Sequence, residues 1–148
     1  MEAIPQSERF CVRAELKEMR VVRARLTQWL QKLRVTDTTR DELTLVMDEA
    51  TTNIVRHAYP PQHAGRGVID VEFTRDGSEL VLRLWDDGIQ RREEDCVGRP
   101  LGEPGESGMG MNLIRILTSS LRFERTADGR NLLELRRRLV DGEGARLA

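Results

Sequence analysis

The chain has 148 residues, about one domain's length, with 24 basic against 25 acidic residues and a net charge of −1. That balance excludes a general attraction to nucleic acid or to an anionic membrane. Two cysteines, Cys11 and Cys96, are too few for a disulfide framework and suit a reducing cytosol, and no apolar run approaches the roughly 20 residues that span a bilayer. MEAIPQSERF lacks a signal peptide's apolar stretch. The expectation is one soluble, cytoplasmic α+β domain over residues 1–148, with its core at about 8–139.

Residues 8–14 alternate weakly and predict a short edge strand. From Leu16 to Leu33 the apolar positions Leu16, Met19, Val22, Leu26, Trp29, Leu30 and Leu33 form one stripe of an amphipathic helix. VTDTT interrupts it and offers Asp37, Thr38 or Thr39 as the next N-cap. A second helix follows from about Arg40 to Ala58, with Leu43, Val46, Met47, Ala50, Ile54 and Ala58 inward and Pro60-Pro61 ending it. VIDVEFT alternates, Asp76-Gly77 signals a hairpin, and ELVLRLWD returns with Leu80, Leu82 and Leu84 inward. Residues 87–107 have little apolar periodicity, and a loop of that length inside a domain is usually functional, here a lid. A short helix from Met109 to about Ser119 turns Leu113, Ile114 and Leu117 inward. A hairpin around Asp128-Gly129 then joins LRFERT to NLLELRRRL, and residues 140–148 are expected to fray. The order β-α-α-β-β-lid-α-β-β predicts a two-layer sandwich, helices on one face of a mixed, mostly antiparallel sheet.

Three constellations carry chemistry. Glu49 and Asn53 lie four residues apart on the second helix, one turn from each other at the shoulder of the apolar stripe. They can point into a cleft together; the plainer alternative is a solvated Glu and a surface Asn. Asp86 shares parity with Leu80, Leu82 and Leu84, so alternation aims it at the core, where a carboxylate needs a donor. A purine's exocyclic amine would serve, with Gly88 admitting a flat base; a simple Asp-Asp-Gly turn is the alternative. Gly108 and Gly110 open a helix whose free N–H groups suit phosphate. No Walker lysine is present, so this is not the P-loop, and His57, His63 and Cys96 make no zinc pattern.

Taken in order, a helical Glu-x₃-Asn, a strand ending Asp-x-Gly, a lid and a Gly-x-Gly helix start resemble the GHKL ATPase superfamily of DNA gyrase, MutL and histidine kinases. Within it the chain is most similar to anti-sigma factor serine kinases of the SpoIIAB and RsbW type. MDEATTNIVRHAYP resembles that group's N box, WDDG its first glycine box and SGMGMNLI its second. The resemblance covers about residues 8–139 and implies the Bergerat ATP-binding fold. It implies that Asn53 holds Mg²⁺ bridging the phosphates of ATP and that Glu49 acts as general base or orients the attacking serine. It implies too that Asp86 binds the adenine amine, Gly88 flanks the base, and Gly108 and Gly110 cradle phosphate with Met109 between them. The implied partners are a sigma factor and an anti-anti-sigma protein of the STAS fold, phosphorylated on serine, with no direct contact to nucleic acid or membrane. Such proteins commonly dimerise, and a sheet edge or Trp29 is the candidate contact.

Several positions depart from the family pattern. Gln90 closes the first box where Gly or Pro is common, and Met109 stands where relatives often carry Arg. The γ-phosphate's charge partner would then come from Arg91, Arg92 or Arg99. Asn131 replaces the family's threonine on the final strand and shares parity with Leu133 and Leu135, so it can face the base. For His57 and Tyr59, packing at the helix end explains them as well as chemistry does. Two other readings stay open: an ATP-holding anti-sigma switch without turnover, and a generic two-layer adaptor.

Overall fold

The structure, a computed structural model, describes residues 7–59, 67–88 and 106–143. In chain order they form β1 (Ser7–Arg13), a 3-10 turn (Leu16–Glu18), α1 (Met19–Leu33), α2 (Asp37–Asn53) and a π-helical turn (Ile54–Ala58). Then come β2 (Val68–Asp76), β3 (Glu79–Asp86), α3 (Glu106–Leu117), β4 (Ser120–Arg125) and β5 (Asn131–Arg138). The strands make one sheet in the order β1-β2-β3-β5-β4, with β1 at an edge as its weak alternation predicts. Every pairing is antiparallel, so the expected mixed sheet lacks its parallel pair among the described strands. The connectivity explains this. Strands β3 and β4 run the same way, but β5 sits between them and pairs antiparallel with both.

Alternation sends Ile69, Val71 and Phe73 of β2, Leu80, Leu82 and Leu84 of β3, and Leu133 and Leu135 of β5 to one face, all buried. The stripes of α1 and α2 cover them. Trp29 packs on the Phe73 ring at 5.7 Å between centroids, and Phe10 meets the same ring edge-on at 5.5 Å. Trp29 is therefore core and no candidate for contact with a second copy. Leu16, expected to start the first helical stripe, is 53% exposed in the 3-10 turn, and α1 begins at Met19. The first hairpin turns at Gly77-Ser78, one residue beyond the expected centre, with Gly77 at φ +60°.

The opposite sheet face carries a row of alternating charge across all five strands, Arg9, Glu72, Arg83, Glu134 and Arg122. Arg83 bonds Glu72 at 2.8 Å and Glu134 at 2.9 Å. Cross-strand pairs of opposite sign stabilise the sheet while keeping this face polar. Among the described residues no helix is long and apolar enough to cross a membrane.

Helix α2 starts three residues before the expected Arg40, because Thr36 rather than Asp37, Thr38 or Thr39 is its N-cap. Thr36 Oγ1 accepts the Thr39 N–H at 3.1 Å. Thr36 is itself held by Glu143, whose carboxylate accepts its N–H at 3.0 Å and its hydroxyl at 2.9 Å. The same carboxylate accepts the Val140 N–H at 3.2 Å, so the first part of the tail expected to fray is tied down. Burial alone would raise the Glu143 carboxyl's pKa, but the bonds from Thr39, Thr36 and Val140 hold it below its ordinary value. Glu143→Ala is expected to lower stability by about 1–2 kcal/mol at neutral pH. Because the native pKa is depressed, that contribution is full above the unfolded value and is lost as pH falls through the native one. Urea unfolding at neutral and acid pH checks both, with the wild-type and variant curves converging in acid.

Candidate functional site

Asp86 is the last residue of β3, opposite Ile69 on β2 and Asn131 on β5. The predicted inward parity holds, and the side chain is 2% exposed. Its Oδ1 accepts the Asn131 Nδ2–H at 2.9 Å and the Gly88 N–H at 3.0 Å. Donors from the fold thus meet part of the carboxylate's need, which is how an acidic group sits at a strand end in the core. Asn131, buried at the first position of β5, also reaches the Gly88 carbonyl at 3.5 Å. Asp86, Gly88 and Asn131 therefore form one cluster.

Gly88 has a packing reason that the sequence did not show. A Cβ there would lie 2.4 Å from the Ala58 carbonyl oxygen and 2.6 Å from its Cβ. The missing side chain admits the end of the π-helical turn on that side. Tyr59 completes the junction. Its hydroxyl donates to Asp87 Oδ1, with the Val68 carbonyl 3.4 Å away, and accepts the Asp87 N–H at 3.1 Å. Burial, then the Asp87 bond and charge, push its phenol well above the ordinary value, so Tyr59 stays un-ionised. The packing role expected for Tyr59 holds. His57, by contrast, is exposed at the end of the π turn. The second aspartate of WDDG was the available signal for the Tyr59 latch.

Helix α2 delivers the other pair. Asn53 is its last residue, 6% exposed, and its Nδ2 is buried without a hydrogen-bond partner among the described residues. A buried amide left unpaired is uncommon and calls for a partner. Directly after it the helix widens into the π turn, which carries Ile54 and Ala58 into the core and brings Ala58 to Gly88. Such widened turns recur at functional sites. Glu49, one turn before Asn53, is half-buried and makes no hydrogen bond or ion pair with a described residue, whereas its neighbour Asp48 accepts from Arg23 at 3.0 Å.

Helix α3 packs along α2. Its direction follows from Arg137 on β5, whose Nη1 donates both to the Leu117 carbonyl, at 2.8 Å, and to Glu42 Oε2, at 3.1 Å. The carboxyl end of α3 thus lies beside the second turn of α2. From Leu117 back to Glu106, and from Glu42 on to Asn53, each helix advances about 16 Å. The glycine-bearing start of α3 therefore stands toward Asn53. Gly108, Met109 and Gly110 lie inside α3, which starts at Glu106 rather than at the glycines. The side chains of 106–110 fall outside the described residues, as do Pro60-Pro61, His63 and residues 89–105 of the lid expected over 87–107, with Gln90, Arg91, Arg92, Cys96 and Arg99; the last two lid positions, 106 and 107, belong to α3. Among the described residues, no three His, Cys, Asp or Glu side chains gather around a metal position.

The chain matches the histidine kinase-like ATPase domain family over residues 12–137. It is 33% identical over 114 residues to the serine/threonine-protein kinase BtrW of Bordetella bronchiseptica, covering 73% of this chain and 72% of that protein. It is 35% identical over 95 residues to an anti-sigma F factor of Clostridium kluyveri, covering 60% of this chain and 65% of the relative's length, just under two thirds. The structure of the RsbU and RsbW domains of Rv1364c from Mycobacterium tuberculosis superposes with a TM-score of 0.67 at 21% identity, covering 97% of this chain and 34% of that one. A TM-score of 0.58 at 15% identity relates it to the SiaB-SiaC complex from Pseudomonas aeruginosa, with 88% of each chain covered. With the family matched across nearly the whole described fold, the chain belongs to the histidine kinase-like ATPase domain family, beside anti-sigma F factors and the serine/threonine kinase BtrW.

Proposed function

We propose that this chain binds ATP with Mg²⁺, phosphorylates a serine of a STAS-fold anti-anti-sigma protein, and sequesters a sigma factor until that partner relieves it. The observation that carries the reading is the pair of buried polar groups at one junction. Asp86 ends β3, the unpartnered Asn53 amide ends α2, and the two elements are joined where Ala58 meets Gly88. The names of the Bordetella and Clostridium relatives support it.

In this reading Asp86 accepts the adenine amine, with Asn131 and the Gly88 N–H keeping its Oδ1 an acceptor. Turning the Asn53 amide exchanges its oxygen for the unpaired nitrogen, so either atom of a ligand-facing Asn53 can be presented. Asn53 would then hold Mg²⁺ together with oxygens that the nucleotide supplies, the usual manner for this ion. Bound Mg²⁺ neutralises charge on the transferring phosphoryl group. Glu49 takes the proton of the attacking serine hydroxyl, and the free N–H groups in the first turn of α3, Gly108 among them, donate to phosphate, with Met109 and Gly110 next along the helix. Met109 brings no charge where relatives often carry Arg. That favours a second reading, in which the chain holds ATP as an anti-sigma switch without transfer. The cytoplasmic setting, the homodimer and the absence of direct nucleic-acid contact belong to the same proposal.

Incubation with γ-labelled ATP, Mg²⁺ and a purified STAS-domain protein tests it. Label on a serine of the STAS protein is the expected result. Magnesium-dependent binding without label selects the second reading, and no binding overturns both.

A further inference from the structure

We propose that Arg137 is a positioning residue that sets where the start of α3 stands against Asn53. The inference rests on the nucleotide reading above and deepens it. Arg137 lies on the helix-facing side of β5, opposite Leu80. From Leu80 to Asp86 is six residues of strand, so Arg137 sits about 20 Å from the nucleobase end of the sheet. It touches no reacting group, and it can act only through the helices it ties.

One nitrogen of its guanidinium makes both contacts, to the Leu117 carbonyl and to Glu42 Oε2. The Leu117 carbonyl is among the four that a helix leaves unsatisfied at its end, where a cation also meets the negative pole of the helix dipole. The chain just beyond is stitched to the same strand: the Ser119 N–H donates to the Arg136 carbonyl at 2.6 Å, and Ser119 Oγ accepts the Arg138 N–H at 2.7 Å. Those two bonds fix the end of α3 to the sheet. The Glu42 arm adds a polar tie to α2, beside the packing of the two helices, and α2 is the helix that carries Glu49 and Asn53. Arg137 and Glu42 are 20% and 28% exposed, so water competes weakly for the contact. A helix is stiff over 12 residues, so a shift at Leu117 reappears at Gly108 and Gly110 with little loss.

The consequence separates the two ends of a nucleotide. Adenosine would meet Asp86 and Asn131 of the sheet and Gly88 just beyond it, away from the α3 contact that Arg137 makes. The triphosphate meets Asn53 and the start of α3, whose relative placement Arg137 controls. Calorimetric titration of wild type, R137M and E42Q with Mg–ATP and with adenosine tests this, with thermal unfolding recorded for each variant. R137M is expected to weaken ATP about tenfold and to change adenosine by less than about twofold, since displacements near 1 Å can cost more than tenfold at a positioned group. E42Q leaves the Leu117 contact in place and is expected to weaken ATP about threefold, and the double variant is expected to be no weaker than R137M.

Equal weakening of ATP and adenosine in R137M, or ATP binding unchanged from wild type, overturns the proposal and leaves Arg137 a stability residue. Should R137M fail to fold, E42Q decides alone, since unchanged ATP affinity in E42Q overturns the proposal as well. A wild type that binds neither ligand overturns the nucleotide reading itself, a result distinct from a wild type that binds ATP and an R137M that matches it.

Discussion

Glu49→Ala is expected to reduce phosphorylation of the STAS serine by about 10²–10⁴-fold, the usual contribution of a positioned general base. The same variant is expected to keep ATP affinity within about threefold, because in the proposed reading the Glu49 carboxylate would face the attacking hydroxyl and not the nucleotide. The structure gives the position but no internal occupation for it. Glu49 is half-buried one turn before Asn53 and has no partner among the described residues, while Asp48 beside it is engaged by Arg23. Removing Glu49 leaves no described donor stranded, so the fold should not suffer, and melting curves of the two proteins should coincide. Single-turnover transfer at saturating ATP, alongside calorimetric binding, measures the split. Equal loss in binding and in transfer would show that Glu49 belongs to the nucleotide site and not to the chemistry.

Asp86→Asn is expected to weaken ATP by about 100-fold, equivalent to about 3 kcal/mol. The change is isosteric, and the amide oxygen can still accept from Asn131 and Gly88 as the carboxylate Oδ1 now does. The amide nitrogen then takes the place of the second carboxylate oxygen, opposing the adenine amine donor to donor in a buried setting. Loss of the charge removes the stronger, charge-assisted form of the bond as well. The register Asp86↔Asn131 and the strand pairing need no carboxylate, so circular dichroism and melting temperature should stay close to wild type. Titration with ATP is the check, and affinity equal to wild type would remove Asp86 from the site.

Much of the fold was legible because the signals are local and periodic. The strand alternation from Ile69 to Phe73 and from Leu80 to Leu84, and the stripes on α1 and α2, put the core side chains where they are found. The exceptions have physical causes. Leu16 fits the helical spacing, yet it lies in a 3-10 turn, where three residues per turn move it off the buried face. Trp29 reads equally well as a core ring or a contact, and only the presence of Phe73 beneath it decides. Thr36 is a good cap by residue type, but nothing nearby announces the Glu143 carboxylate that holds it from 107 residues away.

For the site, residue identity and spacing alone determined which groups are chemically fit. Glu49 and Asn53 share a helix face, Asp86 points inward by parity, and Gly108 and Gly110 mark the helix after the long loop, though it starts two residues before the first of them. Only the tertiary structure decided which of them meet. Asp86 finds Asn131 through sheet register, Gly88 is needed by Ala58 as much as by any ligand, and α3 is aligned with α2 by an arginine on β5. Periodicity and local hydrogen bonding act over a few residues and leave a pattern along the chain. Contacts between distant segments arise from how packed layers come to rest on one another, and no single stretch of sequence carries that information.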